Sequence, residues 1–455
     1  LKLEMNDSVM LRLTQFLYLS ILVTPFLPPV ALLIVGLVTL FLMWRDKGRQ
    51  WYFLGWPEGV FLGFVCLSLA SWLFHPSWYY GIPVGIVPMT QFGLYFLLAI
   101  WIRHFVKWSW PEVQKIYLLF WLAGFYVAAI TIIQQIDWYG FNQSLIGDLL
   151  DFYKKYRFQT ENKVRSVGTS GNSNLTAAML ICFALMSIYA SSVLQKKWQK
   201  LAAFGSFFIY CGAIWCTGSR GAWVGLVVGL IVQLWMTGQR KRTVGITLLL
   251  IGVVAAFPQI IPRKESLLYT INDRYHIWKS SLEIFQENWL FGTLPIHFRE
   301  VIYAKAGLGV HHAHNIFLGI AAEYGIIGLI LFSALLFVTI RRARRWRKVA
   351  NTKEEKRLAG MLISQTIALM GHGMYDYPII APQVGLMFML SVIIIHTQYE
   401  RRCLSRPEWS EPENVEEKKL AYPIASSFFL YVRKQIPPSI VHRFTSDEMT
   451  DKKRA

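Results

Sequence analysis

Apolar runs follow one another along this chain from residue 13 to residue 397. Short polar or Pro/Gly stretches separate them, and many approach the roughly 20 residues an α-helix needs to cross a bilayer. The pattern predicts helices over 12–27, 29–44, 58–74, 84–105, 112–135, 172–192, 201–217, 220–236, 243–261, 313–340, 358–374 and 378–397. The expected fold is all-α and integral to the membrane. It should have about twelve transmembrane helices, with a large extracytoplasmic loop between helices 9 and 10. Pro28-Pro29 divides the first pair, which could also form one long kinked span. No small-residue cleavage site follows the first apolar stretch, so no cleavable signal peptide is expected.

Two connections, 136–171 and 262–312, are long for such a protein. Long loops with polar and aromatic content of their own are where function concentrates. In the second, Asn272 or Asp273 as a cap, then Tyr275, Trp278, Leu282 and Phe285 on one stripe, predicts a helix over about 272–288. The chain therefore reads as a polytopic membrane domain, 1–400, followed by a polar tail, 401–455. The tail is acidic over 411–417 and ends in Asp451-Lys452-Lys453-Arg454-Ala455. Residues 423–440 contain Arg433, Lys434 and prolines and are not read as a further span.

Composition supports the membrane reading. Of 455 residues 54% are hydrophobic and only 16% charged, and the mean hydropathy is +0.38. That is too little charge to cover a soluble protein of this length. Eighteen Trp and twenty-one Tyr can serve as interfacial anchors.

The net charge of +19 would suggest nucleic acid in a soluble protein. Here it sits in short loops: Arg45, Lys47 and Arg49; Arg103 and Lys107; Lys196, Lys197 and Lys200; Arg240, Lys241 and Arg242; and Arg341, Arg342, Arg344, Arg345, Arg347 and Lys348. With the N-terminus inside, all these loops fall on the cytoplasmic side. The expectation is a multi-pass protein of the inner (cytoplasmic) membrane with both termini cytoplasmic and no nucleic-acid partner. Of the five cysteines, Cys66, Cys182, Cys211 and Cys216 lie in apolar segments and Cys403 beyond the last one. They carry neither metal-ligand spacing nor a disulfide framework.

Four clusters could carry chemistry, all on the expected outer side. Thr217-Gly218-Ser219-Arg220-Gly221-Ala222 joins two apolar helices with almost no loop, so Arg220 sits near membrane level. A charge there costs about 2.5–3.5 kcal/mol at full depth and usually faces a cavity or an anion. The plainer reading is an Arg that snorkels to headgroups. Gly221, Gly225 and Gly229 continue at the spacing of a close-packing helix face. Asp273-Arg274-Tyr275-His276-Ile277-Trp278 places Arg274 near the expected helix start, where an anion is favoured. It could clamp a diphosphate or form only a surface pair with Asp273.

His311-His312-Ala313-His314-Asn315 has three histidines in four residues. Yet it lacks i, i+4 spacing, and no carboxylate is close in sequence, so neither metal nor cofactor is expected. A single histidine handling the proton of a substrate hydroxyl is the better use. Glu323, farther along, is either a functional intramembrane carboxylate or the partner of a basic residue. Finally, Gly168-Thr169-Ser170-Gly171-Asn172-Ser173-Asn174 reads as a helix cap that could also admit a ligand to the backbone.

At these residues the sequence resembles the O-antigen ligase and polymerase superfamily of bacterial polysaccharide assembly. His314-Asn315, nine residues, then Gly325-Ile326-Ile327-Gly328-Leu329 follows that family's His-Asn/Ser…Gly-x-x-Gly-Leu pattern. The Ser219-Arg220-Gly221 turn, the Gly168-to-Asn174 segment, and Arg274…Trp278 followed by Asn288-Trp289-Leu290-Phe291-Gly292 resemble three further motifs, in family order.

The resemblance implies an inverting, metal-independent glycosyltransferase of the cell envelope. It moves a glycan from undecaprenyl diphosphate to an acceptor hydroxyl on the extracytoplasmic face, as in lipopolysaccharide assembly. It implies Arg220 and Arg274 at the diphosphate and His314 at the acceptor hydroxyl. Asn315, Ser219, Asn174 and Trp278 would bind substrate. The partners implied are the lipid-linked donor, a glycan, lipid or protein acceptor, and the bilayer. A repeat-unit polymerase of the same superfamily fits the same motifs. A transporter related to the family is the alternative of another class, against which stands the lack of an inverted repeat.

Overall fold

Backbone polar groups shielded from water must find partners within their own segment, so long apolar runs fold as helices. The computed structural model describes residues 7–45, 55–106, 109–136, 165–238 and 266–403, with isolated positions 241, 245 and 248. In chain order the helices are α1 (Asp7–Val23), α2 (Leu27–Arg45), α3 (Trp56–Phe74), α4 (Ile86–Ile100), α5 (Trp110–Ile136), α6 (Ser173–Val193) and α7 (Lys197–Thr217). There follow α8 (Arg220–Met236), α9 (Leu267–Glu287), α10 (Pro295–Ala306), α11 (Ile316–Val349), α12 (Lys353–Gly373) and α13 (Pro382–Cys403). A two-stranded antiparallel ribbon, β1 (Trp78–Tyr79) and β2 (Ile82–Pro83), joins α3 to α4.

The expectation of about twelve transmembrane helices is corrected. Among the described residues seven helical segments are long and apolar enough to cross a membrane: Leu27–Arg45, Trp56–Phe74, Ile86–Phe105, Trp110–Gln135, Ser173–Val193, Lys197–Thr217 and Ile316–Val349. Helices α1 and α8 have 17 residues each, short of a full span. Helices α12 and α13 are long enough but too polar. Their polar residues point into protein: Ser364, Gln365, Thr366 and His372 on α12, and Gln383, Ser391, His396 and Gln398 on α13, are all buried. Apolar content along a sequence does not separate a helix that faces lipid from one enclosed by other helices. The segment expected over 243–261, the tail from 404 and most of the 136–171 loop lie outside the described residues.

Helix α6 is buried on nearly every side and packs on α7, α12 and α8. Helices α8 and α12 approach closely because α8 presents glycine: a Cβ on Gly225 would lie 2.6 Å from the Ala368 carbonyl oxygen.

One end of the bundle carries a belt of charge. Arg103 pairs with Glu58 (3.0 Å) and Glu400 (2.6 Å), and Arg342 reaches Glu400 (3.0 Å). Arg402 pairs with Glu355 (3.0 Å), which also accepts from the Trp346 indole (2.7 Å). Arg347 and Arg357 donate to the carbonyls of Met236 and Ser192 at the ends of α8 and α6. Of the basic loop residues, Arg103, Arg342 and Arg347 lie in this belt.

The other end carries the 266–315 segment. Its helices α9 and α10 enclose a small core of Ile277, Ile284, Phe298, Ile302 and Ala313, completed by Ala322 of α11. The segment is joined to α11 backbone to backbone. At Gly325 (φ 66°, ψ −169°) α11 leaves helical geometry. The Ile326 N–H donates to the Trp289 carbonyl (2.7 Å), while Ala322 and Glu323 carbonyls accept from Thr293 (3.0 Å) and Leu294 (2.7 Å) N–H groups. A Cβ on Gly325 would stand 2.2 Å from the Leu290 oxygen, and one on Gly292 (φ 70°) 2.3 Å from the Glu323 carbonyl carbon. The two glycine motifs of the sequence are thus two halves of one joint.

Alanine at Gly292 or Gly325 meets both a left-handed backbone and backbone atoms that cannot retreat. Each substitution should cost at least about 1–3 kcal/mol, read as a lower thermal unfolding midpoint in detergent. Gly309, whose added Cβ meets nothing within 4 Å, is the control and should be unaffected.

Candidate active site

Helix α12 ends at Gly373, and the chain turns through Met374–Tyr377 before a short 3-10 segment (Pro378–Ile380) and α13. Pro378 and Pro382 keep the chain from continuing as one helix. Asp376 lies in this turn, 3% exposed. Its Oδ1 accepts from the His312 Nε2 (3.0 Å), the His314 Nδ1 (3.0 Å) and the Tyr377 N–H (2.8 Å). An ionised carboxylate only accepts, so both imidazoles present N–H to it. His314 then carries its proton on Nδ1, which leaves the Nε2 lone pair to take a proton.

Burial opposes ionisation of Asp376, but the hydrogen bonds from His312 and His314 outweigh it and hold the carboxyl well below the usual carboxylate range. Burial lowers the His314 pKa from its ordinary 6.5, against the opposing pull of Asp376; nearby His312 and Arg274 add to the lowering. His314 is therefore neutral at pH 7. Its backbone is left-handed (φ 49°), a conformation uncommon outside glycine.

Of the residues singled out in the sequence, His314, Asn315 and Arg274 contact this turn directly. Asn315 caps α11: its Oδ1 accepts from the N–H groups of Phe317 (3.0 Å) and Leu318 (3.1 Å), and its Nδ2 donates to the Met374 carbonyl (3.2 Å). Its amide is therefore engaged in holding two chain segments together. The Trp278 indole donates to the His314 carbonyl (3.3 Å).

Arg274 donates to the Tyr375 carbonyl, but it lies in the second turn of α9, which starts at Leu267 rather than near 272. The anion-binding argument from a helix N-terminus thus fails for it. The buried stripe of α9 is Ile277, Ser281 and Ile284. Tyr275 and Leu282, expected inside, are 60% and 47% exposed.

Gly218 (φ 63°) closes α7 and Ser219 opens α8, so Arg220 begins α8 after a two-residue connection. Ser219 is buried. A Cβ on neighbouring Gly221 would be 3.1 Å from Tyr375 Cβ and 3.3 Å from His372 Nδ1. The Arg220 turn thus abuts the same segment that holds Asp376. Asn172 is the N-cap of α6, accepting from Asn174 (2.9 Å) and Leu175 (3.3 Å) N–H groups. The Asn174 Oδ1 accepts from Arg165 (2.8 Å), which also donates to the Thr217 carbonyl (2.8 Å).

Asp376, His312 as its second donor, and Arg165 were not identified from sequence. Asp376 stands 62 residues after His314, in no local motif. The available signal was a lone acidic residue in a short turn between two apolar runs. The objection that no carboxylate lies near the histidines in sequence does not hold in space: the ligating atoms of His312, His314 and Asp376 lie within 4.8 Å of one another.

Beneath the turn lies a cavity of about 680 Å³, mostly apolar, whose walls include Leu32, Phe64, Ile320, Glu323 and Tyr377, and which reaches exposed Arg299 and His311. Glu323 is fully buried, and its carboxylate oxygens have no hydrogen-bond partner among the described residues. The basic partner considered for it is not found there.

The fold and site together define a multi-pass helical membrane protein with a histidine–carboxylate centre at one end of its bundle, flanked by arginine. Residues 204–333, part of the chain, match the Wzy_C family model, described as O-antigen ligase. The matched region contains Arg220, Arg274 and His314; Asn174 and Asp376 lie outside it. No curated protein matches the chain.

The Asp376 carboxyl is depressed, so its stabilising effect is fully present above its unfolded value near 3.8 and is lost only as pH falls through the lower folded value. Asp376→Asn should cost about 1.5–3 kcal/mol at pH 7, seen in thermal unfolding. The wild-type advantage should persist to pH 4; its disappearance between pH 7 and pH 5 would contradict this assignment.

Proposed function

We propose that this protein transfers a glycan from undecaprenyl diphosphate to an acceptor hydroxyl on the extracytoplasmic face of the inner membrane. The observation that carries the reading is the pair His314 and Asp376 (3.0 Å), with the Arg274 guanidinium anchored on the next turn residue. In this reading His314 Nε2 takes the proton of the acceptor hydroxyl, and the acceptor oxygen attacks the anomeric carbon. The bond from that carbon to the diphosphate oxygen breaks with inversion, and undecaprenyl diphosphate leaves. Arg220 and Arg274 stabilise the charge that grows on it. Asp376 fixes the tautomer and orientation of His314, as a carboxylate does for a catalytic imidazole. The apolar cavity under the turn takes the polyprenyl chain.

The face is assigned from charge. Helix α11 has 34 residues, broken at Gly325. It has His314 just before its start and Arg341 to Lys348 near its end. The basic end is cytoplasmic by the positive-inside rule, which puts the histidine centre outside. Reporter fusions at Lys241 and at residue 300 should report opposite sides; the same side would overturn the orientation.

His314→Ala should lower transfer by about 10²–10⁴-fold, and Arg220→Ala and Arg274→Ala by about 10²–10³-fold each, with the protein still inserted. His311→Ala, outside the carboxylate contact, should have little effect. Normal surface glycan in all three former variants would end the reading.

Because His314 titrates below 6.5, transfer should be flat between pH 7 and 8 and fall only on acidification below about 6.5. A decline already between pH 8 and 7 would exclude it as the base. Deleting the gene and separating the glycans on a gel identifies the acceptor step. Long chains left on the polyprenyl carrier mean a ligase, single repeat units on the final acceptor mean a polymerase, and unchanged glycans refute both.

A further inference from the structure

We propose that His312, His314 and Asp376 form a binding site for a divalent first-row transition ion of the zinc class. Three observations carry it. The three ligand atoms, two imidazole nitrogens and one carboxylate oxygen, already face one another within 4.8 Å. Around a tetrahedral zinc, bonds of about 2.0–2.2 Å put ligand atoms roughly 3.3–3.5 Å apart. The two observed His–Asp separations of 3.0 Å need only a few tenths of an ångström of opening.

Second, three nitrogens converge on Asp376 Oδ1, those of His312, His314 and the Tyr377 N–H, whereas one carboxylate oxygen offers two lone pairs. An ion between the three side chains relieves that crowding, since it replaces the two imidazole N–H contacts with metal bonds. Third, the side chains are graded in exposure: Asp376 4%, His312 18% and His314 27%. The carboxylate forms a floor, and the imidazoles line the open side, where a water completes the coordination. Mixed imidazole and carboxylate ligands suit zinc and its neighbours rather than calcium or magnesium. The Tyr377 N–H on the carboxylate and the Trp278 indole on the His314 carbonyl are the outer contacts that hold ligands in place.

Ion binding stands on this geometry alone. Its consequence for activity rests on the transfer reading. An imidazole coordinated through Nδ1 carries its one proton on Nε2, the atom assigned to accept the hydroxyl proton, so the loaded protein cannot use His314 as a base. The ion is thus an inhibitor in a metal-independent reaction.

The experiment uses the full chain, purified in detergent and stripped with a chelator. Zn²⁺ is titrated by calorimetry and by competition with a chromogenic chelator. One ion per chain is expected. His312→Gln and Asp376→Asn should each weaken binding by more than about tenfold, while His311→Ala and His297→Ala leave it unchanged. His312→Gln keeps a hydrogen-bonding side chain in place, so it tests ligation should Asp376→Asn fold poorly. The absence of stoichiometric binding, or binding that survives His312→Gln, overturns the site. If Zn²⁺ binds as described and transfer is undiminished at saturation, the base role of His314 is overturned and the ion site stands.

Discussion

A carboxylate withdrawn from water costs several kcal/mol unless donors replace its hydration. Asp376 is almost entirely withdrawn, and two of its three donors come from the 311–315 segment, some 62 residues earlier in the chain. That constraint ties the start of α11 to the turn after α12. Asn315, donating to Met374, and Arg274, donating to Tyr375, fasten the same two regions from either side. The turn from 374 to 377 thus acts as a hub on which residues from α9, α11 and the start of α8 converge. The left-handed backbone of His314 is a strain that such a hub can hold in place, and strain of this kind gathers at functional sites.

The glycine joint serves the same end by different physics. Hydrogen bonds that α11 gives up at Gly325 are taken over by the 289–294 segment, so the break leaves few backbone groups unpaired. The exchange stitches α9 and α10 to a membrane helix alongside the small apolar core they share with Ala322 and Leu318. Ser71 adds a hydrogen bond to the Gly292 carbonyl (3.0 Å), and Phe74 stacks on Phe291 at 4.8 Å. Trp278 therefore reaches His314 from a segment that is itself anchored at two places.

Much of this was legible because it is local. Apolar runs marked the helices, the Gly218-Ser219 turn was evident from its length, and small polar residues announced the capped start of α6, where Asn172 sits. What could not be read depends on distant neighbours. The polarity of α12 and α13 reflects burial among other helices, so a count of apolar runs overestimated the number of spans. The start of α9 was misplaced: Ser266, not Asn272 or Asp273, stands at its N-cap, and the apolar Leu268, Tyr269 and Ile271 of its first turns remain exposed. Asp376 meets its histidines 62 and 64 residues away and Arg165 reaches the Thr217 carbonyl 52 residues away, and no periodicity or spacing marks either.

The placement of the cavity bears on what the centre can do. Tyr377 belongs to both: its N–H supports Asp376, and its side chain lines the apolar space that extends to Arg299 and His311. An amphiphile seated there would have its chain among Leu32, Phe64 and Ile320 and its polar end within one residue of the carboxylate that positions His314. On the transfer reading this arrangement explains why the histidine sits at the end of a membrane helix rather than in a free-standing domain. The donor is held by its lipid at the interface, and a base must wait where the diphosphate emerges. The same reasoning accounts for a charged belt at the far end. Ion pairs among Glu58, Arg103, Arg342 and Glu400 fix the helices at the end away from the histidine centre.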